Sequence, residues 1–461
     1  MKNKEKKVST KIAFVSLGCD KNTVDSEIMI ELLAEKGYEI IKEDDQAEVI
    51  IVNTCGFIQD AKEESIQTLI EMGEYKQTGA LQVLIAAGCL AERYADEIFQ
   101  EMPEVDAVVG TGSYEQIVDV VEALLAGKRQ VKCLLDASQR DLGYRKRILT
   151  TPGYYGYVKI AEGCDNHCTY CVIPRLRGVF RSRKPEDILR EVQDMAAEGV
   201  RELMIVAQDI TKYGKDWDGK SHLPELLRKI AQVEGIHWIR LLYCYPEDIT
   251  EELIETIAEE PKILHYVDMP IQHCADGVLK RMGRHHTKAQ LLQVIKRLRE
   301  RIPDIALRTT LIAGFPGETE EDFRELCEFV QEVRFDRLGV FAYSQEEDTP
   351  AARMPDQIPE EEKERRKDLL MELQQKISSE RSQEMVGCQM EVMIEGQIPG
   401  EEEEDSLVYS ARTYRDAPEI DGFLFLTSSA SYMSGDFTQA EVVGAYEYDL
   451  MGVDVDVEHR E

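Results

Sequence analysis

No stretch of this 461-residue chain is apolar over the roughly 18 to 20 residues that a membrane-crossing helix needs, so no helical span is expected. The first ten residues, MKNKEKKVST, carry no apolar core and no cleavage site, and they read as the frayed terminus of a cytoplasmic protein. There is no solenoid repeat and no low-complexity tail. Positive charge is scarce: 55 Lys and Arg face 89 Asp and Glu, a net charge of -34. Such a chain repels polyanions, so a nucleic-acid partner would need a local basic patch working against the global field, and strong direct binding is not expected. A basic protein partner needs no such exception. With 43% hydrophobic and 31% charged residues, the composition is that of a globular protein, and the length suggests roughly two to four domains.

Cysteine is not scarce. Eleven cysteines without an export signal are expected to stay reduced, which favours metal or redox chemistry over a disulfide framework. Three of them, Cys164, Cys168 and Cys171, form a CxxxCxxC loop directly after an apolar run, Tyr157 to Ile160, that ends in Glu162-Gly163. Thiolates so spaced select an iron-sulfur cluster, zinc or cuprous copper. Zinc usually takes four protein ligands in paired groups, and no fourth is supplied nearby except His167, which is awkwardly placed between two of the cysteines.

From Lys11 to Gly127 apolar strands alternate with helices. Runs at Lys11–Ser16, Glu48–Val52 and Leu81–Ala87 end in Leu17-Gly18-Cys19, Asn53-Thr54-Cys55-Gly56 and Gly88-Cys89, and Asp106–Val109 repeats the pattern without a cysteine. The helix after the first run carries Asp25-Ser26-Glu27 in its expected first turn. Alternating strands and helices imply a parallel sheet with all carboxyl ends on one edge, so Cys19, Cys55 and Cys89, first in chain order, meet as another trio of thiols. Buried cysteines are also common as small hydrophobes, but all three fall in glycine-flanked turns outside the apolar faces.

Residues 128–152 read as a linker. Beyond it, strands expected at Tyr157–Ala161, Glu202–Ala207, His237–Tyr243, His265–Met269, Ile305–Ile312 and Asp336–Tyr343 alternate with helices and suggest an open (βα)6 partial barrel. Pro359–Glu384 reads as one long charged connector helix. From Val386 short alternating runs at Met390–Ile394, Leu407–Ala411, Gly422–Leu426 and Gln439–Tyr446 argue for a small antiparallel β-barrel, with the acidic run Glu401–Asp405 as a hairpin tip. The fold class is therefore multidomain α/β, with domains at 11–127, 153–384 and 386–456.

In the middle domain Leu311-Ile312-Ala313-Gly314-Phe315-Pro316-Gly317-Glu318 offers an apolar wall at Ile312 and close backbone approach at Gly314. Gln208 and Asp209 end the second strand of this domain, and Asp209 serves equally well as a helix cap. Phe341 ends the sixth as a ligand wall or plain core. Arg308 pairs with a carboxylate of a ligand or with an internal acid, and His273 is a substrate contact or a satisfied turn residue. Arg175, Arg177, Arg181, Arg183 and Lys184 form a basic run after the cysteine loop that screens a cluster's charge, holds an anion or is simply solvated.

The CxxxCxxC loop with Tyr170 before its third cysteine resembles the radical S-adenosylmethionine superfamily. With the first trio and the terminal barrel it resembles, over nearly the whole chain, the radical S-adenosylmethionine methylthiotransferases, whose last domain is a TRAM domain. The resemblance implies two 4Fe-4S clusters, one on Cys164, Cys168 and Cys171 and one on Cys19, Cys55 and Cys89. It also implies S-adenosylmethionine bound near Gln208, Asp209, Arg308, Ile312, Gly314 and Phe341. The family modifies either tRNA adenosine or the β-carbon of an aspartate in a small-subunit ribosomal protein. The stretches Asp20–Glu27, Arg412–Gly422 and Tyr343–Pro355 are similar to the ribosomal-protein branch. Charge agrees: residues 391–461 hold 18 acids and 3 arginines, a net of -15, which suits a basic protein substrate. An electron donor such as a flavodoxin-like protein is implied as a further partner. A tRNA enzyme of the same build, or a non-catalytic iron-sulfur carrier or zinc scaffold, are the alternatives.

Overall fold

A computed structural model describes residues 9–400 and 406–455; the basic first residues and the acidic run Glu401–Asp405 lie outside the described residues. The chain forms two compact units: Met1–Thr150 with Tyr157–Glu191 and Glu346–Thr349, and Thr151–Gly156 with Val192–Gln345 and Pro350–Glu461. The units do not follow the domain limits expected from sequence, because the CxxxCxxC loop groups with the N-terminal sheet.

The first unit is built on a sheet of β1 (Lys11–Ser16), β2 (Glu39–Ile41), β3 (Val49–Thr54), β4 (Val83–Gly88), β5 (Ala107–Val109) and β6 (Val131–Cys133), in the order β2-β1-β3-β4-β5-β6. All neighbours are parallel. β3 and β4 are buried at every position, as their unbroken apolar runs require in a sheet covered on both faces. Two strands escaped the sequence pattern. β2 is only three residues long, and β6 lies in the stretch expected as a linker, where edge exposure leaves too little apolar periodicity to read. Their presence shows that strand order reverses at β1 and β3, the place where open parallel sheets open a crevice at the carboxyl ends.

Helix α1 (Asp20–Glu35) starts five residues before the expected Asp25 turn. Asp25, Ser26 and Glu27 are therefore not exposed dipole partners at a helix start but buried anchors in its second turn. Helices α2 (Gln59–Thr78) and α3 (Cys89–Arg93) follow β3 and β4.

The second unit holds β10 (Glu202–Val206), β11 (Trp238–Leu241), β12 (Ile263–Asp268), β13 (Ala306–Ala313) and β14 (Arg337–Ala342), side by side in the order β14-β13-β12-β11-β10, while β7 (Tyr155–Lys159) has only its first two residues in this unit. The neighbours from β10 to β14 pair in parallel, and the sheet stays open, as expected of a partial barrel. The two short strands between β7 and β10 are β8 (Ala161–Glu162) and β9 (Arg181–Ser182), an antiparallel pair in the first unit that frames the cysteine loop. The connector helix runs Glu360–Gln383.

The last domain is a closed barrel of five strands, β15 (Gln389–Gln397), β16 (Leu407–Thr413), β17 (Leu424–Ser428), β18 (Phe437–Ala445) and β19 (Leu450–Asp454), in the order β15-β16-β17-β19-β18. Four strands were expected, all antiparallel. The fifth, β19, closes the barrel by pairing parallel to β17, a long-range contact that no local pattern announces.

Candidate active site

The three turns of the first trio are brought level by sheet register. Ser16 lies beside Asn53 and Thr54 beside Gly88, so the residues just past the strand ends share one edge. Cys19 is the N-cap of α1, Cys55 follows β3, and Cys89 opens α3. Approach is close. A Cβ on Gly18, whose φ of +89° already disfavours a side chain, would stand 2.8 Å from Cys55 Cβ, and one on Gly56 would stand 2.9 Å from the Leu90 nitrogen.

Asn22 is the pivot of these turns. Its Nδ2 donates to the carbonyls of Leu17 (3.0 Å) and Thr54 (3.1 Å), so one side chain fixes the exits of β1 and β3. Asn53 Nδ2 donates in return to Asn22 O and to Ser26 Oγ, each at 2.9 Å. Sequence reasoning missed Asn22 as a site residue. The signal was there, in the Lys-Asn of the stretch Asp20–Glu27, but its meaning depends on two turns that meet only in space.

The second trio lies on the loop that follows Gly163. Cys164 and Cys168 are buried and Cys171 half-buried, while His167 between them is exposed, with φ +51°. Cys164 N–H donates to Gly178 O at 3.2 Å, and Asp165 accepts from Phe180 N–H at 3.1 Å, which folds the loop back on itself. A short helix, Ile173–Arg177, begins two residues after Cys171, and its Val172 N-cap and Leu176 pack with Cys89 in one apolar cluster. The two trios are thereby neighbours within a single unit.

Behind them lies a buried ion network. Lys159 Nζ meets Asp25 at 2.6 Å and Glu162 at 2.7 Å. Arg177 Nη1 meets the same two carboxylates at 3.0 and 3.1 Å, and its Nη2 donates to Asn22 Oδ1 at 2.6 Å and reaches Cys89 Sγ at 3.9 Å. Burial would push the Asp25 and Glu162 carboxyls up, but Lys159, Arg177 and Arg140 outweigh it and hold both below their ordinary range. Burial raises the Cys55 thiol and pushes Cys89 up to about 12, with Arg177 opposing it at both. A thiol in this setting becomes a thiolate only against nearby positive charge, which is the environment a metal cluster supplies.

The basic run is not one patch. Arg177 is buried in the network just described, whereas Arg181 is spent on the carbonyls of Arg140 and Ala137. Arg183 binds Lys159 O and Glu191, and Arg175 pairs in solvent with Asp348.

Among the described residues no three His, Cys, Asp or Glu side chains converge as the ligands of a single metal ion do. Cluster thiolates are spread over several irons, so each trio, soft and mostly buried, fits a three-thiolate cluster site.

In the second unit the candidates divide between the two ends of the strands. Gln208, Asp209, Ile312, Gly314 and Phe341 lie at the carboxyl ends. Ile312 pairs with Phe341 across β13 and β14, and Phe341 is 52% exposed, so this pair forms an accessible apolar face rather than core. Gly314 takes φ +74°, and its N–H, like that of Phe315, is held by Glu318 (2.8 and 3.1 Å). Asp209 caps the turn Ile210–Lys212 by accepting from Thr211 N–H at 3.1 Å, the structural one of its two expected roles. His273 is fully buried beneath the glycine loop, with Nε2 3.7 Å from Glu318, and is a core residue. Arg308 stands nearer the amino ends, 2.8 Å from Asp268 and 3.5 Å from Asp421, so the internal acids claim it.

Asp421 belongs to the stretch Arg412–Gly422, which fastens the last domain beneath this sheet. Arg412 and Arg240 grip Glu202 at 2.6 and 2.8 Å, Arg415 and Arg381 grip Asp336, and Arg337 grips Asp416.

Comparison with known proteins matches this architecture piece by piece. Residues 11–110 match the uncharacterized protein family UPF0004, 158–330 the radical SAM superfamily and 386–455 the TRAM domain. Over 447 residues, 96% of this chain and 99% of the relative, the sequence is 52% identical to the ribosomal protein uS12 methylthiotransferase RimO of Lachnoclostridium phytofermentans. The chain belongs to the RimO family. The RimO of Clostridioides difficile is likewise 52% identical, over 96% of this chain and 98% of its own. Among solved structures, the radical S-adenosylmethionine methyltransferase TsrM from Kitasatospora setae shares the fold, with a TM-score of 0.56 at 15% identity over 86% of this chain and 79% of that one. Membership of the RimO family rests on the whole chain, since all three domains and their order are matched.

Proposed function

We propose that this chain is a radical S-adenosylmethionine methylthiotransferase that modifies the β-carbon of an aspartate in ribosomal protein uS12, the protein after which its RimO relatives are named. The observation that carries the reading is the meeting of two cysteine trios in one unit, Cys19, Cys55 and Cys89 beside the loop of Cys164, Cys168 and Cys171.

Each trio would hold one 4Fe-4S cluster through three thiolates. Bound together with S-adenosylmethionine, these groups supply radical hydrogen abstraction at the loop trio and sulfur delivery at the sheet-edge trio. The protein's part is placement. Asn22 fixes the strand exits that present Cys19 and Cys55. The fold between β8 and β9 presents Cys164, and burial of Cys55, Cys89, Cys164 and Cys168 keeps water from the sulfurs. At the carboxyl edge of the second unit, Ile312 and Phe341 offer an apolar wall, which suits the adenine end of S-adenosylmethionine, and Gln208 lies along the same edge, whereas the side of Gly314 that a Cβ would take is filled by Lys363.

Charge favours the protein substrate over tRNA. Arg412 and Arg415 of the last domain are buried in ion pairs, and so are Asp416 and Asp421, so the acidic excess of that stretch is carried by its other acids. A basic ribosomal protein is drawn to these acids and an RNA backbone is repelled. A flavodoxin-like protein would serve as electron donor. No helix among the described residues is long and apolar enough to cross a membrane.

The test is mass spectrometry of uS12 from cells with and without this gene. Loss of a methylthio mass on one aspartate supports the reading. An unchanged uS12 mass together with loss of a methylthio group from tRNA refutes the substrate and transfers the activity to RNA.

A further inference from the structure

Arg177 follows the loop trio by six residues, yet its guanidinium reaches the sulfur of the other trio. Four observations define what it does there. It is 2% exposed, so its charge is barely screened by water. Its Nη2 lies 3.9 Å from Cys89 Sγ and donates to Asn22, the residue that holds the turns of Cys19 and Cys55. Its Nη1 is clamped by Asp25 and Glu162, and Glu162 stands two residues before Cys164. Lys159 bridges the same two carboxylates through their other oxygens, so Arg177 and Lys159 share one pair of anions.

We infer that Arg177 is a positioning residue that links the two cysteine loops and sets the reduction potential of the cluster held by Cys19, Cys55 and Cys89. The inference rests on the proposed reading that this trio holds a cluster. Reduction adds one electron, and a fixed positive charge at Cys89 stabilises the more negative, reduced state. Asp25, clamped against the same guanidinium, opposes it. The sign of each substitution follows. Replacing the guanidinium by a neutral group moves the midpoint to more negative potential, and neutralising Asp25 moves it to more positive potential.

The experiment uses the full-length chain with Cys164, Cys168 and Cys171 changed to Ala, reconstituted anaerobically so that only the first trio is loaded, and reads the midpoint by potentiometry with dithionite followed by electron paramagnetic resonance. Arg177→Gln is expected to shift the midpoint negative, Asp25→Asn to shift it positive, and Arg177→Lys to stay near the parent. If Arg177→Gln fails to retain iron, the positive shift in Asp25→Asn still carries the sign test. Iron bound at about four per chain with all midpoints equal, or with Asp25→Asn shifted negative, overturns the role of Arg177 and leaves the cluster reading standing. A parent that binds no iron overturns the cluster reading itself and the inference with it.

Discussion

Two of the ion networks buried among the described residues serve different ends. In the first unit Asp25, Lys159, Glu162 and Arg177 lie against Cys89 and Asn22. In the second, Glu202, Arg240 and Arg412, with Asp336, Arg381 and Arg415 nearby, tie a barrel to the amino ends of a sheet. Residue types and distances are nearly the same in both. What differs is what the free edge of each network touches: sulfur in one, and in the other the carbonyls of Tyr414 and Asp416 and the carboxylate of Glu395. A buried arginine is therefore no sign of function by itself; its neighbours decide.

The comparison breaks most visibly at the thiols. Cys168→Ala and Cys89→Ala should each remove about half of the iron, yet only Cys168→Ala should stop the reductive release of 5'-deoxyadenosine, while Cys89→Ala keeps that release and loses methylthio transfer. Iron assay and product chromatography check this, and loss of 5'-deoxyadenosine in Cys89→Ala would show that the trios do not divide the labour.

Next in size is the fastening network. Glu202→Gln leaves the guanidiniums of Arg240 and Arg412 buried without their shared carboxylate, and should lower stability by about 3 to 5 kcal/mol in urea unfolding while iron content at low denaturant is unchanged. Lost iron at unchanged stability would erase the distinction between the two networks.

The smallest effect concerns His273. Burial holds its pKa down at about 3, so the folded protein keeps it neutral. The unfolded chain takes up a proton below about pH 6.5, and between that value and about 3 the unfolded state binds more protons. Stability should therefore fall with acidification, by about 1.4 kcal/mol for the first unit below 6.5, and the decrement should vanish in His273→Gln when the two proteins are compared at pH 7.5 and 5.5. A slope that persists in the variant would place the titration elsewhere.

The loop trio could be found by reading along the chain, because Cys164, Cys168 and Cys171 lie within eight residues and a tight loop brings them together whatever surrounds it. The sheet-edge trio was legible one step removed, since alternating strands and helices force parallel carboxyl ends onto one edge. The strands of the middle domain could be read for the same reason, each being an apolar run of ordinary length. β2 and β6 could not, being three residues long and half-exposed. Nor could the fates of Asp209, His273 and Arg308, whose two readings differ only in what lies across from them.

Local chemistry and periodicity were enough to bring out the two cysteine trios, the three-part architecture and the acidic last domain, because each depends on residues close in sequence, on regular alternation or on summed charge. Tertiary structure alone decided that Arg177 faces Cys89, that Asn22 holds the turns of Cys19 and Cys55, and that Arg412–Gly422 is a fastening. Those pairings join residues dozens to hundreds of positions apart, and their energy comes from burial, which no single stretch of sequence contains.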